Sequence, residues 1–166
     1  MSLDMYSASV PVFTRMLTNL LGILSKAEAY AAERKFDVNV LVDCRLAPDM
    51  IPFKGQIMIA TDHAKGATAR LADKPVPSWP DTETTFEQLK TRINTALSFL
   101  AEANAADFVG ADERKVTLRN RNSETILDGQ TYLLERALPN FYFHITTAYA
   151  ILRHNGVPVG KGDFLG

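Results

Sequence analysis

Apolar residues recur at Phe13, Leu17, Leu20, Leu24, Ala27 and Ala31, stepping by three and four, and predict a helix over about residues 3–34. Pro11 is expected in its first turn or at its true start, where a missing backbone N–H is tolerated. Residues 36–46 are mixed and predict a short helix from Asp37, ended by LAPDMIP with Pro48 and Pro52. A second helix is expected over about residues 51–72, with Phe53, Ile57, Ala60, Ala64, Ala67 and Leu71 along its stripe. The proline-rich DKPVPSWPD reads as a loop. Thr84 and Glu87 then fit a capping box, opening a third helix that runs to about residue 104 with Phe86, Leu89, Ile93, Leu97 and Leu100 inward. RKVTLRN and SETILDG alternate with period two around a polar turn, the pattern of a small β-hairpin. A fourth helix begins near Gly129 and ends at Asn155-Gly156, where glycine supplies a left-handed cap; Pro139 is expected to kink it.

The fourth helix carries the densest signal. Its segment ALPNFYFHITTAYAIL, residues 137–152, has no formal charge when His144 is neutral and lies between Arg136 and Arg153. A helix apolar on nearly every side is expected to be buried on more than one face. Its polar groups Asn140, His144, Thr146, Thr147 and Tyr149 then need hydrogen-bond partners or a ligand. Asn140, His144 and Thr147 share one stripe, which suits a ligand pocket and equally a satisfied core network. Phe141, Tyr142 and Phe143 must point in different directions, so at least one is expected to meet another subunit, giving a homodimer. The run is shorter than the roughly 20 residues that span a bilayer, which excludes a membrane role for it.

These elements predict one domain over residues 1–166, all-α, a four-helix bundle with a small β-hairpin between helices three and four. The formal net charge of −1 and a pI near 6.3 give no electrostatic reason to bind nucleic acid. The lone Cys44 suits a reducing compartment, and the N-terminal residues lack the basic region and continuous apolar core of a signal peptide. A cytoplasmic location is therefore expected. GVPVGKG follows the last helix and lacks the spacing and preceding strand of a phosphate-binding loop, so its GKGDFLG end is read as a tail anchored by Phe164 and Leu165.

The motifs RLAPDMIPFKGQI, DHAKGATARL, ETTFEQL and above all LPNFYFHITTAYAILRHNGVPVGKGDFLG resemble the DUF1993 family, a distant branch of the DinB-like four-helix bundles. The resemblance covers essentially the whole chain. It implies the DinB-like bundle, commonly as a homodimer. In better-known relatives one histidine of the second helix and an HxxxH pair of the fourth hold a divalent metal, used by some for thiol-dependent transfer or isomerisation. Laid over that pattern, His144 takes the second place of the pair and Asn140 stands at the first, while the helix-two position falls near Gln56, with His63 seven residues on.

Three readings of function follow. The leading one is a small-molecule pocket at His144, with Gln56, His63, Asn140 and Thr147 as further candidates and a weakly bound divalent metal as a cofactor. His63 and His144 would be two of the three protein ligands a catalytic zinc requires, with Asp62 or another acid as third. The second is a divergent metal-dependent transferase or isomerase. The third is a structural or partner-binding dimer without catalysis.

Overall fold

A computed structural model describes residues 4–120 and 123–166. Helix α1 spans Val10–Arg34, with Pro11 in its first turn as expected but starting later than the apolar pattern suggested. Its stripe from Phe13 to Ala31 is buried. Lys35 ends it in the left-handed conformation, and the amides of Lys35 and Phe36 satisfy the last carbonyls. A short 3₁₀ turn, Val38–Leu41, follows with Asp37 as its cap.

Helix α2 is Phe53–Leu71 and α3 is Phe86–Ala101. The capping box of α3 lies one residue further on than Thr84 and Glu87: the Thr85 hydroxyl accepts from the Gln88 amide, and Gln88 Oε1 accepts from the amides of Thr84 and Thr85. A glutamine serves here as well as a glutamate, because only an acceptor oxygen is needed.

Strands β1 (Lys115–Asn120) and β2 (Ser123–Asp128) pair antiparallel, Lys115 opposite Asp128 and Asn120 opposite Ser123. The polar turn expected between them lies outside the described residues. At Gly129 the chain passes so close to the Ala111 carbonyl that a Cβ would collide with it, which fixes glycine where β2 hands over to the next helix.

That helix, α4, is built in three consecutive pieces: an α turn Gly129–Tyr132, a π turn Leu133–Ala137, and the α-helix Leu138–His154. The sequence predicted a kink at Pro139; the structure has a wide turn just before that residue. The Leu138 amide reaches back to the Leu133 carbonyl, and Pro139, which has no N–H to give, sits in the first turn of the α-helix that follows. Gly156 closes α4 at φ 88°, as the sequence predicted. GKGDFLG is a short helix, α5 (Lys161–Leu165), held on α1 by Asn19 and Arg15, which donate to the carbonyls of Phe164 and Leu165, and by the Lys26–Asp163 ion pair.

Helix α2 packs between α3 and α4, and α1 closes the bundle against α3, α4 and α5. Phe53 stacks on Phe86 at 5.4 Å between ring centres, and Phe13 meets Phe141 edge-on at 4.8 Å. All four rings are fully buried. Within this single chain α4, apolar all round, leaves Phe143 56% and Tyr142 37% exposed, whereas the more polar α2 hides Gln56, Thr61, Lys65 and Thr68. Position in the bundle, not composition, decides which helix is covered on both sides. Among the described residues no helix is long and apolar enough to cross a membrane.

Candidate functional site

Gln56, His63 and Arg70 are spaced by seven along α2, about two helical turns each, and so share the stripe that faces α4. Gln56 is held first. Its Nε2 donates to the Ile51 carbonyl at 2.8 Å, which turns Oε1 toward α4. His144 Nδ1 lies 2.7 Å from that oxygen. An amide oxygen can only accept, so Nδ1 carries the proton and Nε2 of a neutral ring keeps its lone pair. Burial, and to a lesser degree His63, push the His144 pKa down to about 4. The ring is neutral at physiological pH.

The His63 ring stacks beside His144, with centroids 6.0 Å apart and planes 14° from parallel. Burial lowers its pKa too; Asp62 opposes that shift and Arg70 adds to it. Neither nitrogen of His63 hydrogen-bonds to any described residue. Asn140 is exposed, and its side-chain amide donates to the Arg136 carbonyl at 2.6 Å; Thr147 donates to the Phe143 carbonyl at 2.7 Å. The two hydroxyl and amide groups expected beside His144 thus serve their own helix. The structure brings together Gln56, His144 and His63.

His63 and Asn140 also border a cavity of about 460 Å³ between α2, α4 and the hairpin. Tyr132, Arg136 and Ala137 line it from the start of α4, Arg70 from α2, and Leu118, Arg119 and Thr125 from the hairpin. Tyr132, Arg136 and Asn140 are four residues apart, and the π turn keeps them on one stripe where an ideal α-helix would let them drift around the axis. Arg70 donates to the Tyr132 hydroxyl at 3.3 Å and stands over its ring at 5.9 Å. The size suits a small metabolite.

A divalent metal of the kind the fold family implies is poorly served by these residues. Two imidazoles are adjacent, but Asp62, the acid beside His63, turns away to Lys65 at 2.7 Å and Arg92 at 3.1 Å. Among the described residues no group of three or more His, Cys, Asp or Glu side chains is placed to hold an ion. The donor set does not complete a three-ligand site.

The opposite face of α2 holds a second polar cluster that sequence reasoning missed. The buried Arg92 of α3 donates to the Thr61 hydroxyl at 2.9 Å and the Pro80 carbonyl at 3.1 Å, and pairs with Asp62, Asp81 and Glu83 at 3.0–3.1 Å. Lys65 Nζ lies 4.2 Å from the centre of the Trp79 ring. These bonds fasten the proline-rich loop to α2 and α3.

The bundle with an inserted hairpin is the DinB-like fold: a DinB family member protein from Shewanella denitrificans, solved by crystallography, matches with a TM-score of 0.92 and 44% identity over 97% of this chain and 91% of that one. The model of the domain of unknown function DUF1993 matches residues 5–165, and the chain belongs to that family. Among curated proteins none matches.

Proposed function

We propose that this protein binds a small molecule in the cavity beside His63 and His144. The observation that carries the reading is His63: a neutral, half-buried imidazole without a hydrogen bond to any described residue, on the wall of a cavity of about 460 Å³. Such a ring offers its donor and acceptor to a small molecule that takes the place of water in the cavity. Gln56 and His144 stand behind it as a fixed, satisfied pair that holds the stack in place. The test is a fragment titration followed by NMR on the wild type and on Leu118→Trp, which puts a bulkier side chain on the cavity wall. Fragments that move His63 and Tyr132 signals in the wild type and not in the variant support the reading; fragments that bind only elsewhere, or bind both forms equally, overturn it.

The same reading includes a second copy of this chain over the exposed Phe143 and Tyr142 of α4. Sedimentation at micromolar concentration is expected to give twice 18.4 kDa, and a monomer would overturn this part.

A further inference from the structure

The cavity wall has an unbalanced charge. Arg70, Arg119 and Arg136 all line it, and among the described residues no carboxylate does. Arg119 is answered from outside the wall by Glu124 at 2.9 Å. Arg70 and Arg136 form no ion pair with any described residue, and the one side-chain partner of Arg70 is the neutral Tyr132 hydroxyl. Two guanidiniums thus line one small cavity with donors that no described carboxylate accepts, and a planar fork is built to meet an oxyanion. Tyr132, Thr125 and Asn140 add neutral polar groups on the same wall.

We infer that the ligand of this cavity is a small organic oxyanion, a carboxylate or a phosphate ester, gripped between Arg70 of α2 and Arg136 of the π turn. The inference rests on the pocket reading above and gives its ligand a chemical class. The two cations reach the site from different elements, so the anion bridges α2 and the start of α4, adding to the Arg70–Tyr132 contact already there. Arg119, already neutralised by Glu124, contributes less. The π turn has a role in this arrangement, because it keeps Arg136 on the stripe of Tyr132 and Asn140.

The test is a titration of the labelled full chain with inorganic phosphate, with succinate and with neutral succinamide at constant ionic strength, followed through the Tyr132 and His63 signals. Saturable shifts with phosphate, succinate or both are expected, and whichever anion binds tighter separates the tetrahedral from the planar group. Arg136→Gln and Arg70→Gln should each weaken that binding about tenfold, Arg119→Gln distinctly less, and Arg136→Lys less than Arg136→Gln. Arg136 is exposed, so its substitution leaves the fold a fair control. If succinamide shifts these signals as strongly as the anions, or if Arg136→Gln and Arg70→Gln leave anion binding unchanged, the anion inference fails while the pocket stands. If none of the three probes reaches the cavity signals, and neutral fragments do not either, the pocket reading fails as well.

Discussion

Two polar clusters lie on opposite faces of α2, and they differ in how completely their charges are answered. Around Arg92 every donor has an acceptor: a hydroxyl, a carbonyl and three carboxylates, with Lys65 sharing Asp62 and capping the Trp79 ring. Around His63 the groups are as carefully placed but not matched, with an imidazole and two arginines that have no ionic partner among the described residues. A closed network of this kind fixes structure. An open one, on the same helix but nearer the surface, is where a ligand has something to complete. The comparison also separates His144 from His63: the former is satisfied by Gln56 and belongs to the scaffold, the latter faces the cavity.

The largest effect is expected on the closed side. Arg92→Met leaves Asp62, Asp81 and Glu83 around an apolar chain and should lower stability by about 2–4 kcal/mol, less than for a fully buried group because Asp62 and Asp81 keep contact with water. Urea denaturation measures it, and the proline-rich loop should become the first site of proteolysis. A loss below about 1 kcal/mol would mean that the cluster is not structural.

A smaller loss is expected at the scaffold histidine. His144→Leu leaves Gln56 Oε1 without its donor and should destabilise by about 1–3 kcal/mol. The double change Gln56→Leu with His144→Leu removes both partners and should recover much of that loss. Failure to recover would place the role of His144 in packing against His63 and not in its bond to Gln56.

Acidification acts on the same pair. Because the folded pKa of His144 is about 4 and the ordinary value is 6.5, the unfolded chain takes up a proton in that interval and the folded chain does not. Stability should therefore be fully present above about pH 6.5 and decline as pH falls toward 4, with His63 adding to the slope in the same direction. His144→Leu should flatten the decline in a thermal melt, and an unchanged slope would assign it to other groups.

Much of the scaffold was legible in sequence because each helix writes its own stripe. The positions read as inward in α1, α2 and α3 are buried, with only Leu97 partly open. The meeting of α2 and α4 at Gln56 and His144 was expected from the family resemblance, and the spacing of seven placed His63 on the same face as Gln56. What escaped was whatever depends on distant segments. Thr61, Asp62, Asp81, Glu83 and Arg92 come from two helices and a loop, and nothing in DKPVPSWPD says which arginine it will enclose. The arginines of the cavity come from α2, a strand and a π turn, and the last cannot be read from apolar spacing because it inserts a residue into the pattern. Asn140 and Thr147 shared a stripe with His144 yet bond to their own helix, a local alternative that short polar side chains always have.

The most direct test of the division between a closed and an open face is the stability of Arg70→Gln/Arg136→Gln set beside that of Arg92→Met in the same buffer, without added anions. If the cavity arginines are held for a ligand and not for the fold, the double variant should stay within about 1 kcal/mol of the wild type, since relief of repulsion offsets the lost Tyr132 contact. A loss in the double variant as large as that of Arg92→Met would contradict the account, because both faces of α2 would then be structural.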